Sequence, residues 1–120
     1  MNNVEAENAV IGCLIYDNDY QKYISKISIE DFVSTTNTRI FQAIQKLQNE
    51  KADMSTVAGY LMSKNFNDEA MELTTDKYRV FTANFKIYFE MLKEATAKRK
   101  LSRSLLKIQS MLQNGDSIRD

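Results

Sequence analysis

The feature that most constrains this chain is its lack of residues that interrupt helices. Its 120 residues include no proline and only three glycines, which stand isolated at positions 12, 59 and 115. Proline and glycine are the residues that most often end helices or form tight turns. Apolar residues recur at helical spacing, and no alternating run is long enough to predict a sheet. The sequence therefore predicts an all-α fold, of a length that suits one domain with its own core.

The first helical segment, predicted over residues 4–16, contains the sequence Val10-Ile11-Gly12-Cys13, which has the form of a lipoprotein cleavage box. An export signal needs a basic start and an apolar run of about 7–15 residues. Here the acidic residues Glu5 and Glu7 precede the box, and both suit the first turn of a helix. We therefore predict a helix with one apolar face in a cytoplasmic protein, with Cys13 as a core residue. No later segment has the roughly 18 apolar residues that cross a membrane.

Short helical segments separated by polar residues fill residues 1–80, which we predict to form a compact multi-helix head. Ser28 with Asp31 approximates a capping box, and Asp53 is a candidate cap for a later helix. From residue 81 the pattern changes. Residues 81–114 form one helical stretch of about thirty residues, which is longer than most helices of globular proteins.

The end of the sequence indicates a helical hairpin. Gly115 suits a left-handed helix end, and Ser117 has the position of a cap for a following helix. We therefore interpret the long helix as the first arm of a hairpin and residues 115–120 as its turn, with the sequence stopping inside the hairpin.

The residue types present exclude most catalytic sites. The chain has no histidine and one cysteine, so neither the usual zinc ligand sets nor a Ser-His-Asp triad is available. The isolated glycines form no phosphate-binding loop. The adjacent acid pairs Glu30-Asp31 and Asp68-Glu69 diverge on a helix and are interpreted as solvated or helix-start charges. We predict no catalytic residue, no metal site and no cofactor in this chain.

An apolar stripe runs along the second half of the long helix. Leu101, Leu105, Ile108 and Leu112 are spaced four, three and four residues apart, and the segment before them changes the phase of the pattern. Leaving such side chains in water forfeits roughly 1.5–3 kcal/mol each. We predict that they form a self-association or partner face, together with the aromatic residues Phe85 and Tyr88. The alternative is a core position, with the head folded back over the arm.

The charges are unevenly placed. Residues 1–76 hold twelve acids and six bases, about −6, whereas residues 77–120 hold four acids and ten bases, about +6. In the basic half Arg99, Arg103 and Lys107 share one line at i, i+4 and i+8. They are candidate contacts to phosphates or to an acidic partner. The alternative is a solvated helix face whose long side chains cover apolar surface.

With these segments placed, the chain resembles the N-terminal domain of DnaB-type replicative DNA helicases. Four stretches carry the resemblance in order: "VEAENAVIGCLIYDN" at 4–18, "IEDFVSTTNTRIFQAI" at 29–44, "DMSTVAGYL" at 53–61 and "ANFKIYFEMLKEATAKRKL" at 83–101. Thr35 and Asn37 occupy places where the family commonly has Pro and His, which suggests a divergent member.

The resemblance implies a non-catalytic assembly domain. In the family such hairpins pair two subunits, and three pairs form a collar where primase, and in some systems a loader, docks. It implies that the partners are the chain itself (as a dimer, and as a hexamer in the full-length protein), primase and a helicase loader, with weak or no DNA contact and no membrane. ATP and Mg are expected only in the motor domain that would follow.

Two other interpretations remain open at this stage. One is the helicase-binding C-terminal domain of a primase, whose helical head and hairpin have a similar shape. The other is a stand-alone helical regulator that binds nucleic acid through the basic residues of the long helix.

Overall fold

The computed structural model describes residues 3–115, and within this range it contains helices and no β-strand. The α-helices are α1 (Asn3–Tyr16), α2 (Thr35–Leu47), α3 (Met54–Ser63), α4 (Asn67–Leu73) and α5 (Phe85–Gln113). Four 3-10 helices connect them, at Asn18–Lys26, Ile29–Asp31, Asp76–Tyr78 and Thr82–Asn84. The all-α prediction is confirmed, as is the long final helix. In this part of the chain no helix combines the length and the hydrophobicity that a bilayer crossing needs.

Helix α1 is the centre of the head and is buried on nearly every side. The side chains of Val10, Ile11 and Cys13 have no exposed surface, which confirms the helical interpretation of the cleavage-box sequence. Burial, with a smaller effect of the Asp17 charge, raises the pKa of the Cys13 thiol to about 12. Cys13 is therefore a core residue, as predicted.

Gly12 is required by a close approach between α1 and the chain after α4. A Cβ atom at this position would lie 2.0 Å from the backbone oxygen of Tyr78, which is far inside van der Waals contact. Only glycine therefore lets the Asp76–Tyr78 turn pack directly on α1.

The predicted helix caps are present. The Ser28 hydroxyl accepts from the backbone N–H of Glu30, and the Asp31 carboxylate accepts from the N–H of Ser28. Asp53 caps α3 through the N–H of Thr56. Each cap uses side chains within three residues of the helix start, which is why sequence spacing finds it.

A buried polar network ties α1 to α2. Glu7, which the sequence analysis placed with Glu5 in the first turn of a helix, is 1% exposed. Its carboxylate accepts from the backbone N–H groups of Val33 (3.0 Å) and Ser34 (3.3 Å) and from the Asn37 amide (3.3 Å). The Tyr78 hydroxyl donates to Asn37 Oδ1 at 2.5 Å. The sequence did not reveal this burial because the partners of Glu7 lie on segments distant in sequence.

The first half of α5 belongs to the core of the head, and its second half leaves the head. Leu92 is 1% exposed, and Ala95 and Thr96 one turn later are also buried. Residues 101–110 are all exposed, and the molecule measures 54 × 32 × 25 Å. Gly115 has a φ of +78°, which confirms the predicted left-handed end. The rest of the predicted hairpin turn, including Ser117, lies outside the described residues.

Candidate functional site

The candidate site is the part of α5 that projects beyond the head, residues 101–113, which we call the free arm. Its predicted apolar residues, Leu101, Leu105, Ile108 and Leu112, are between 41% and 61% exposed. We call these four side chains the arm stripe. No other described residue buries them, so the alternative in which the head folds back over the arm is wrong for this structure.

The arm stripe faces away from the head. At about 100° of rotation per residue, the centre of the stripe lies about 170° around the helix axis from the buried Leu92. The first half of α5 therefore presents its apolar side to its own head, and the second half presents the opposite side to solvent. The change in phase of the apolar pattern before Leu101 therefore reflects a change in the side of the helix on which the apolar residues lie.

Phe85 does not belong to this exposed face. It is 3% exposed, and its ring stacks on Tyr20 with centroids 4.5 Å apart. Its assignment to the partner face was wrong, because the chain between α1 and α2 covers this side of α5 with aromatic rings. Tyr88 is half-buried and packs against the same core. The large exposed apolar side chains of α5 therefore lie on the free arm, apart from Ile87 near the start of the helix, which is 56% exposed.

The spacing of the arm stripe fits packing against another helix. The steps of four, three and four residues place the side chains at alternating d and a positions of a heptad. The flanking side chains on the two sides of the stripe are the uncharged Ser102, Ser104 and Gln109. Leu106, which the sequence interpretation overlooked, is 64% exposed and lies about 130° from the centre of the stripe.

The three basic candidates separate into two kinds. Arg99 is partly buried, and its Nη2 donates to the backbone oxygen of Glu30 and to Thr96 Oγ1, both at 3.1 Å. Its Nη1 is buried without a hydrogen-bond partner among the described residues. Arg103 and Lys107 are exposed on the free arm, about 150° from the centre of the stripe. Only these last two are available to an outside partner.

The described residues offer little for chemistry. Within residues 3–115 no group of three or more His, Cys, Asp or Glu side chains is close enough to hold a metal ion. The adjacent acids Glu30 and Asp31 instead contact α5, and Glu69 accepts from Arg39 at 3.0 Å. The prediction that this chain has no catalytic residue stays a prediction. What the site presents is an apolar helix face suited to binding.

The comparisons with known proteins agree on one family. Residues 1–94 match the family model described as the DnaB-like helicase N terminal domain. Over 114 residues the chain is 32% identical to the replicative DNA helicase DnaB of Buchnera aphidicola subsp. Baizongia pistaciae, an alignment that covers 89% of this chain and 25% of that protein. The chain thus spans about a quarter of the length of this curated relative. The family match covers the whole head and the first ten residues of α5, and on this basis the chain belongs to the family of DnaB-like helicase N-terminal domains.

Proposed function

We propose that this chain is the N-terminal assembly and docking domain of a hexameric replicative helicase that acts in DNA replication, and that it is not itself catalytic. The observation that carries the proposal is the arm stripe, an outward-facing apolar row on a helix that extends beyond its own head. Membership of the family supports the link to replication. The match to a helicase domain does not favour the alternative of a primase C-terminal domain.

The arm stripe is the surface that we propose to bind a second copy of the chain. Full burial of a leucine or isoleucine side chain contributes roughly 1.5–3 kcal/mol, so the exposed half is worth about 1 kcal/mol. Eight such side chains at a twofold interface contribute about 8 kcal/mol. Association itself costs at least about 4 kcal/mol. The difference of about 4 kcal/mol corresponds to a Kd of about 1 mM, so the isolated chain should self-associate weakly.

The remaining partners follow from the same role. Pairs of arms would build the hexamer of the full-length protein, and primase and a helicase loader would dock on the resulting collar. ATP and Mg would be bound by the motor domain of that protein. DNA contact by this domain would be weak, because Arg99 is engaged with the head and only Arg103 and Lys107 stay free on this line.

Sedimentation equilibrium over a wide concentration range tests the proposal. We expect a reversible species of at least twice the 13.9 kDa chain mass to appear as the concentration approaches 1 mM. The association should change little with salt, because apolar side chains carry it. A chain that stays monomeric throughout the range would overturn the assembly role. Association that disappears in moderate salt would instead point to the basic residues.

A further inference from the structure

The polar contacts between the head and α5 among the described residues lie immediately before the free arm. Asp31 is 1% exposed, and its carboxylate accepts from Thr96 Oγ1 at 2.6 Å and from Lys93 Nζ at 3.0 Å. The same carboxylate accepts from the N–H of Ser28 at 2.8 Å. Lys93 Nζ also donates to the backbone oxygen of Lys26 at 3.1 Å. One buried carboxylate therefore joins α5 to the turn that precedes α2.

Two further contacts extend this junction toward the arm. Arg99 Nη2 donates to the backbone oxygen of Glu30 at 3.1 Å, and Lys100 Nζ pairs with Glu30 Oε1 at 2.7 Å. We call the whole set the Asp31 latch: Asp31 and Glu30 on the head with Lys93, Thr96, Arg99 and Lys100 on α5. The α5 residues of the latch lie in residues 93–100, a segment without a large apolar side chain. Polar contacts with the head, and not apolar packing, therefore hold this segment in place.

Because the latch lies at the base of the free arm, a small change in helix direction there moves the arm stripe by a larger distance. The last residue of the latch, Lys100, directly precedes the free arm, and the helix then runs about 20 Å to Gln113. A tilt of about 10° at the latch would displace the tip sideways by about 3.5 Å, more than a third of the roughly 8–10 Å that separates the axes of packed helices. Each knob of a heptad fits a hole formed by four residues of the facing helix, so a sideways shift of this size would separate the knobs near the tip from their holes.

We propose that the Asp31 latch is a positioning device that sets the direction of the free arm, so that the arm stripes of two copies meet in register. The inference rests on the assembly role proposed above. Hydrogen bonds are directional, and a buried carboxylate is satisfied only where its donors stand. The latch therefore selects one orientation of α5.

The direction of the arm can be measured without assembly. Cysteine replaces the exposed Met62 on α3 and Ser110 on the free arm, and both carry spin labels. Substitution of Leu105 and Ile108 by Asp keeps the protein monomeric in this experiment. The native Cys13 has no exposed surface and a raised pKa, so it stays unlabelled. Pulsed electron paramagnetic resonance then measures the distribution of distances between the spin label on the head and the spin label on the free arm.

The latch variant is Lys93→Met with Thr96→Val, which removes both α5 donors to the carboxylate and keeps the side-chain sizes. Its matched control is Lys98→Gln, which removes one charge from the same helix without adding an apolar side chain, at a residue that forms no ion pair with the head among the described residues. We expect the distance distribution to broaden by about 3–4 Å in the latch variant and to stay unchanged in the control. Circular dichroism verifies that both keep their helix content.

A second variant guards against failure of the first to fold. Arg99→Met with Lys100→Met removes the outer contacts and leaves Asp31 bonded, and we expect a smaller broadening. An unchanged distribution in folded variants of both kinds would overturn the positioning role. With the arm stripe intact, the latch variant should also associate about tenfold more weakly than the control; equal association would overturn the link to register. If the parent chain does not associate at all, the proposed function fails while the distance result still decides the latch.

Discussion

Replacement of Leu105 and Ile108 by Asp should abolish self-association and leave the head intact. The two side chains are 53% and 41% exposed in the single chain, so burial of the rest is worth about 1 kcal/mol each. A twofold interface contains each residue twice, which gives a loss of about 4 kcal/mol, or about a thousandfold in Kd. Four carboxylates brought into an apolar seam would add an unfavourable desolvation free energy.

Sedimentation equilibrium at about 1 mM is the assay, with urea unfolding as the measure of head stability. The matched control is Leu106→Asp with Ser110→Asp, which introduces the same charges on the same helix but about 130° and 170° from the centre of the stripe. The control should associate like the parent chain, and both variants should unfold within about 0.5 kcal/mol of it. Equal weakening by the control, or no weakening by the stripe variant, would refute the reasoning.

Three further predictions concern the head. Gly12→Ala should lower the free energy of unfolding by about 3 kcal/mol, because its Cβ would meet the Tyr78 carbonyl. Gly59→Ala, whose Cβ would have nothing within 4 Å, should raise the free energy of unfolding by about 0.5–1 kcal/mol, and urea titrations compare the two variants. Burial opposes ionisation of Asp31, but hydrogen bonds from Thr96, Ser28 and Lys93 outweigh it and lower the pKa of the carboxyl. The contribution of Asp31 to the free energy of unfolding is therefore present at neutral pH and is lost as the pH falls through that lowered pKa. Unfolding measured across pH 2–7 should show this loss of stability, and Asp31→Asn should remove it. Cys13 should react with a thiol reagent at pH 8 only as fast as the head opens, because its pKa is about 12; a rapid reaction in the folded protein would contradict its burial.

The fold class was readable from the sequence because helix formation depends on near neighbours. Without proline, and with caps such as Ser28 and Asp53 at the required spacing, the chain has few local alternatives to helix. The arm stripe was also readable, since its period of four, three and four is a property of the helix itself. The positive φ of Gly115 could be predicted for the same reason, because it depends on the residue itself and its place at the helix end.

The sequence was a poor guide wherever a side chain finds its partner far along the chain. Phe85 has the spacing of a surface anchor, yet Tyr20 and Tyr23 cover it. Arg99 has the spacing of a basic ridge, yet it bonds to a backbone oxygen 69 residues earlier. Periodicity states which residues share a face of a helix and not what lies against that face.

The sequence alone therefore determined that this protein is helical, where several of its helices begin, and that one end carries an apolar row. The tertiary structure decided that the row points away from the head, that Glu7 is buried in the core, and that Asp31 holds the long helix. Hydrogen bonds within a helix join residues four apart, so helix formation depends on residues that are close in sequence. The contact between Asp31 and Thr96 joins residues 65 apart, and it exists only once the whole chain has packed.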